Sequence, residues 1–324
     1  MNSQRRDGKW GDPDGYGLVP TLSATEALLT SLRRSQDGTG PGLHHGDMVV
    51  AADRGLRALF GWLGNGIRFL VPDTIAAEIV VPALVAQVNA HLDTLVPELV
   101  TGLDTWCGSG RLALPHGMDD ELLVRLRHAV RHGQALPAKL LHSLEAIGPA
   151  MRGVPFVQPV HGAVGCSPAA TAAWLSECTD HPSVDYLEAV QDRGGGPVPG
   201  VTPITFFERA WVLAALTSAG FSLATPHELT ASLHDAVGES GASAAPGLPP
   251  DSDDTAAVLY VLTQLGRPRS PDSLLTYQVD TYFTCFSGER TPSTSTNAHV
   301  LQAFGACLEH DVSQRFYRQR IMGE

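Results

Sequence analysis

Four segments of this 324-residue chain open in the same way: Thr21-Leu-Ser-Ala-Thr25, Ser167-Pro-Ala-Ala-Thr171, Asp251-Ser-Asp-Asp-Thr255 and Thr294-Ser-Thr-Asn297. In each, a polar turn, often preceded by Gly or Pro, gives way to small residues and then to a Leu-rich stretch at helical spacing. Small residues let helices approach closely. A turn-plus-helix unit used repeatedly marks stacked or circularly arranged helical hairpins, and the irregular spacing argues against a regular solenoid. The same apolar period runs through residues 21–34, 136–148, 167–179, 205–220, 253–266 and 295–310, with glycine stops after several of them. Strand-like alternation is scarce. The expected fold is therefore all-α.

Glycine and proline interrupt the pattern at 35–47, 192–203 and 238–250. The middle break, followed at once by a long amphipathic stretch, is the best boundary, giving domains 1–203 and 204–324. Hydrophobic residues make up 43% and charged residues 17%, as in soluble globular proteins. A net charge of −12 disfavours nucleic acid or an anionic membrane as partner. No apolar run is long enough to span a bilayer, and the basic N-terminus lacks the apolar core of a secretory signal. Five scattered cysteines without a CxxC pair indicate neither a disulfide framework nor a zinc site. A cytoplasmic protein with free thiols is expected.

Asp251, Asp253 and Asp254 crowd the mouth of one apolar helix. Two readings compete. Asp is a good N-cap, and acidic residues in the first turn suit the helix dipole. But a cap needs one carboxylate, and three within a turn repel one another. If the site is partly buried, repulsion and desolvation leave at least one of them neutral near pH 7, ready to act as a Brønsted acid.

The run Asp251-Ser252-Asp253-Asp254-Thr255-Ala256 resembles the DxDDTA motif of class II diterpene cyclases, the copalyl diphosphate synthase family. Other segments agree in order. "QRRDGKWGD" (4–12) is similar to the family's QxxDGSWG turn, and "LPAKLLHSLEAI" (136–147) to its LLHSLEG helix. "GCSPAATAAWL" (165–175) resembles SPSSTAFA, and "GGGPVPGVTPITFFERAWVL" (194–213) resembles GGVPNVFPVDLFEHIW. "GERTPSTSTNAHVLQAF" (288–304) is similar to the bacterial form of the helix that faces the acid. The likeness runs from about residue 4 to about 304.

The resemblance implies two α-helical, α/α-barrel-like domains: a γ-like domain (1–203) and a partial β-like domain (204–324), meeting at a dry cleft. It implies protonation of the terminal alkene of geranylgeranyl diphosphate, closure of two rings, and loss of a proton to give a bicyclic diphosphate. Asp253 would be the acid, with Asp251 and Asp254 holding its proton and orientation. His299, with Ser295 a turn earlier, would contact the acid and help to reprotonate it. His142, in "LLHSLE", matches the histidine that plant enzymes pair with an asparagine to hold the deprotonating water. Gly200 stands at the asparagine's position, so halimane- or clerodane-type products become credible, and His161 is a possible substitute. Mg²⁺ is expected at the diphosphate, with Glu78 aligned to a family glutamate and Lys9 and Arg290 as diphosphate contacts. Trp211 and other aromatics of the matched segments would line the cavity and stabilise a passing cation. The implied partners are the isoprenoid diphosphate and a homodimer mate or a downstream class I terpene synthase. "MDDELL" (118–123) lacks the class I DDxxD pattern, which leaves the proton-initiated route.

The family's SAYDTAWVA-like segment and a further C-terminal stretch are not found in the sequence. The expectation is an incomplete β-like domain, with uncovered apolar helix faces and a wetted acid. Two other functions stay open: a related proton-initiated cyclase acting on another isoprenoid, and a non-catalytic helical-repeat binding module in which the aspartates only cap.

Overall fold

A computed structural model describes residues 3–13, 15–36, 45–64, 68–72, 74–95, 102–175, 180–194 and 202–310. The described residues are mainly helical. They form two compact units: residues 1–136 with 143–156, and residues 137–142 with 157–324.

In the first unit, α1 (Leu18–Gln36), α2 (His45–Leu63) and α3 (Ala77–Asp93) pack together, α1 touching both others. The core runs from Leu18, Leu22, Leu29 and Leu32 to Leu56 and Leu59 on α2 and Val81, Val85 and Val88 on α3. Polar groups fix the packing. Asn89 donates to the Leu112 carbonyl at 3.0 Å and accepts from its N–H at 2.8 Å. His91 joins α3 to Glu26 and Thr30 of α1. The tryptophan turn before α1 is anchored in the same manner. Thr21 Oγ1, fully buried, accepts from Trp10 N–H at 3.0 Å and donates to its carbonyl at 3.3 Å. α1 thus begins at Leu18, and Thr21 belongs to its interior rather than to its cap. α4 (Glu121–Arg131) is held to the segment after it by Arg127, which donates to the carbonyls of Ala146 and Ile147.

The stretch 136–148, expected as a regular helix, is a 3-10 segment over Ala138–Ala146. It is broken at Ser143, whose φ of −120° and ψ of 34° are not helical, and at this residue the chain passes back into the first unit.

The second unit continues with α5 (Pro168–Trp174), α6 (His181–Gly194), α7 (Thr205–Ser218), α8 (His227–Ala236), α9 (Ser252–Gln264) and α10 (Thr294–His310). A small antiparallel pair, β1 (Gln278–Val279) and β2 (Tyr282–Phe283), lies between the last two helices. α9 is the spine. It packs on α7, α8 and α10, and ten of its residues are buried: Ser252, Asp254 through Leu259, and Val261 through Thr263. A helix apolar on nearly every side must be enclosed on nearly every side. Asp253 and Tyr260, seven residues apart and so on one face, keep partial exposure. Cys107, Cys166, Cys285 and Cys307 form no disulfide.

Candidate active site

Asp251 is the N-cap of α9: its backbone is extended and its Oδ1 accepts from the Asp254 N–H at 2.8 Å. The cap is itself pinned. Asp251 N–H donates to the Ala242 carbonyl at 3.2 Å. The hydroxyl of Thr255 donates to the Asp251 carbonyl and accepts from Ala242 N–H at 2.8 Å. Gly241, with φ +100°, makes room for that hydroxyl, because a Cβ there would collide with Thr255 Oγ1. On the other side Ser252 donates through its N–H to the Cys285 carbonyl at 2.9 Å and through its hydroxyl to the Thr284 carbonyl at 2.7 Å. The helix mouth is therefore rigid before any charge is considered.

The three carboxyls divide by burial. Asp251 is 6% and Asp254 5% exposed, whereas the Asp253 side chain is 28% exposed. Desolvation, then the charge of Asp254, pushes the Asp251 carboxyl up to about 8. Asp254 is also raised, first by burial and then by the charge of Asp253, against the hydrogen bond from Asp251. Burial and mutual repulsion therefore favour the protonated form of both carboxyls. Asp253, the central aspartate, is the least buried of the three. The field of Asp251 reaches further: it adds to burial in lifting the Tyr277 phenol and the Cys285 thiol to about 12.

Asp253, at the second helical position, points toward α10. His299 Nδ1 lies 2.8 Å from its Oδ1. At that distance a protonated Asp253 can donate to a neutral imidazole, or an Nδ1–H tautomer can donate to the carboxylate. The ring of Trp211, from α7, meets His299 edge-on, with centroids 4.5 Å apart at 77°, and Phe207 stands 5.5 Å from Trp211. Trp211 Nε1 and Asp254 Oδ1 are both buried without a partner at hydrogen-bond distance. They are close enough that the indole N–H still favours the Asp254 carboxylate. Trp211 therefore lies against His299 and near Asp254. Asn297 of α10 ties its helix to β2 through both the N–H and the carbonyl of Phe283, fixing the height of His299.

His142 is partly buried, and its Nδ1 lies 2.6 Å from the Gly165 carbonyl. A carbonyl only accepts, so Nδ1 carries the proton and Nε2 is left basic. Gly200 lies outside the described residues. His161 is an exposed turn residue at φ +50°.

The remaining candidates lie away from the carboxyl cluster or at the surface. Ser295 is exposed and pairs with Ser293 at 3.1 Å. Lys9 belongs to the first unit, where it pairs with Asp7 at 3.7 Å and lies over the Trp62 ring. Arg290 is exposed, and its backbone carbonyl accepts from the Tyr282 hydroxyl. Glu78 is an exposed residue in the first turn of α3. Among the described residues no three His, Cys, Asp or Glu side chains are placed to hold a metal. A cavity of about 490 Å³ in the second unit is lined by Lys139, Ser240, Pro250, Tyr277, Phe286 and Glu289 among others. None of the three aspartates borders it. No helix of the described residues is long and apolar enough to cross a membrane.

No family model matches the chain. It is 45% identical over 311 residues to the ent-copalyl diphosphate synthase of Streptomyces sp. (strain KO-3988), covering 94% of this chain and 56% of that protein. It is 38% identical over 333 aligned positions to the labda-7,13-dienyl diphosphate synthase of Streptomyces clavuligerus, spanning 60% of that protein. Among solved structures, ent-copalyl diphosphate synthase from Streptomyces platensis superposes with a TM-score of 0.85 at 46% identity, over 99% of this chain and 62% of that one. This chain is thus homologous, over nearly all of its length, to a part of the copalyl diphosphate synthases, the class II diterpene cyclases.

Proposed function

We propose that this chain carries the proton-donating site of a class II diterpene cyclase that converts geranylgeranyl diphosphate to a bicyclic diphosphate. The observation that carries the reading is the 2.8 Å contact between His299 Nδ1 and Asp253 Oδ1, on a helix mouth where burial raises both Asp251 and Asp254.

In this reading the Asp253 O–H breaks and its proton forms a C–H bond at the terminal alkene. The cation left on the neighbouring carbon is attacked in turn by two internal alkenes, forming two C–C bonds. Loss of a proton to Nε2 of His142, directly or through water, restores an alkene. The product is an isomer of the substrate, and Asp253 regains a proton from solvent. His299 holds the acid proton when neutral and would oppose donation when charged, because an imidazolium favours the carboxylate. Trp211 and Phe207 offer π-faces to the cation beside the acid. No step is routed through a metal. The acid-bearing helix belongs to the β-like portion, 204–324, and residues 1–203 to the γ-like portion. Because the diphosphate survives, a class I terpene synthase that ionises it is the fitting consumer. A homodimer is the other partner this reading carries.

The test is incubation with geranylgeranyl diphosphate, dephosphorylation and mass spectrometry. A bicyclic alcohol that vanishes in Asp253→Ala supports the reading. Turnover of a different prenyl substrate alone favours the related cyclase, and absence of product with every prenyl diphosphate sinks it.

A further inference from the structure

His142 is held by a turn whose geometry nothing in its own segment requires. Val160–Ala163 and Val164–Ser167 are successive tight turns closed by β-bridges. In both, the two central residues have positive φ: 50° and 79° at His161 and Gly162, then 54° and 54° at Gly165 and Cys166. This is the signature of type I′ turns. The second turn is tied to α5, since Ser167 caps that helix and Thr171 Oγ1 accepts from Val164 N–H at 2.9 Å.

Gly165 meets His142 backbone to backbone. A Cβ at Gly165 would lie 2.6 Å from His142 N and 2.7 Å from the Leu141 carbonyl carbon. With no side chain, its carbonyl reaches the imidazole at 2.6 Å. Cys166, a non-glycine residue at φ 54°, tolerates that left-handed conformation poorly. Thr202, 9% exposed, holds it there: its hydroxyl donates to the Cys166 carbonyl at 2.9 Å and lies 3.5 Å from the thiol.

We propose that the Gly165–Cys166 turn, clamped by the Thr202 hydroxyl, is the positioning device that fixes His142 as the Nδ1–H tautomer and leaves Nε2 free to take a proton. The inference rests on His142 being the terminal base. Thr202 is a positioning residue in it and touches no substrate.

The test is the tautomer itself, read by long-range ¹H–¹⁵N correlation on the ¹⁵N-histidine-labelled chain, with His142→Gln for assignment. The wild type is expected to carry its His142 proton on Nδ1. Thr202→Val keeps the shape and removes the donor, and is expected to give a mixture of tautomers and a displaced His142 titration. Thr202→Ser should restore both. Gly165→Ala should abolish the contact, but backbone collision can prevent its folding, so Thr202→Val carries the decision. A wild-type proton on Nε2, or an unchanged tautomer in Thr202→Val, overturns the proposal. Turnover is scored separately. If the wild type makes no cyclised product while the tautomer responds as stated, the cyclase reading fails and the positioning device stands. If it does turn over, Thr202→Val should lower kcat about tenfold with KM unchanged and shift the pH profile.

Discussion

The starts of α5 and α9 share one plan and differ in one choice. At α5, Ser167 caps the helix by accepting from Ala170 N–H at 3.2 Å, while Thr171 Oγ1 donates to the Ser167 carbonyl and accepts from the N–H of Val164 in the turn before. At α9, Asp251 caps by accepting from Asp254 N–H, while Thr255 Oγ1 donates to the Asp251 carbonyl and accepts from Ala242 N–H. Both caps are buried, 3% and 6% exposed. A hydroxyl therefore suffices for this architecture. Putting a carboxyl at the same place, with two more beside it, costs desolvation that capping never recovers. The surplus acidity of α9 needs a purpose other than helix formation, and the histidine at Asp253 supplies one.

The strongest way to break this comparison is Asp253→Asn. Asp253 caps nothing, so stability is expected within about 0.5 kcal/mol of wild type. Cyclised product should fall by at least about 10³-fold. Parallel losses of stability and activity would return Asp253 to a structural role. Next comes Asp251→Ser, which copies the α5 cap into α9. The raised Asp251 pKa means that its protonation stabilises the fold fully below about pH 4, and that this contribution is lost as pH climbs through about 8. Thermal melts of the wild type should drop across that window by on the order of 2–4 °C per kcal/mol lost. Asp251→Ser should flatten that slope and still abolish turnover. Smaller and symmetric effects are expected from Thr171→Val and Thr255→Val. Each leaves a buried turn N–H unpaired, at about 1–3 kcal/mol by denaturant titration. The smallest is Ser167→Ala, about 1 kcal/mol and independent of pH. A pH-dependent penalty there would show that the two caps are not equivalent.

The residues that announced themselves in sequence were those with strong local chemistry. Three clustered aspartates, a histidine on an amphipathic helix and the Leu-rich periods at 205–220, 253–266 and 295–310 all correspond to observed elements. Helices α2, α3, α4, α6 and α8 escaped that reading. α2 begins inside a glycine-rich break, and α3 carries Pro82 in its interior, where packing overrides the loss of one N–H. The segment around His142 read as a regular helix because periodicity does not register a single non-helical residue such as Ser143. The division of burial among the three aspartates was beyond reach, since it depends on distant segments: Ala242 bonds Asp251, and Thr284 and Cys285 bond its neighbour Ser252. The fifth-position threonines of the recurring unit were visible, but the bonds that Thr171 and Thr255 make to a preceding turn depend on how that turn folds back. Gly165 gave no signal beyond being a glycine.

One consequence follows from the enclosure of α9. A helix walled in by α7, α8 and α10 can expose its central amides only when the surrounding unit comes apart. Those N–H groups should exchange with deuterium at the slowest rates in the protein, governed by global rather than local opening. Asp253 is thus mounted on the part of the described structure least able to breathe, and its contact with His299 should hold its geometry until that unit opens.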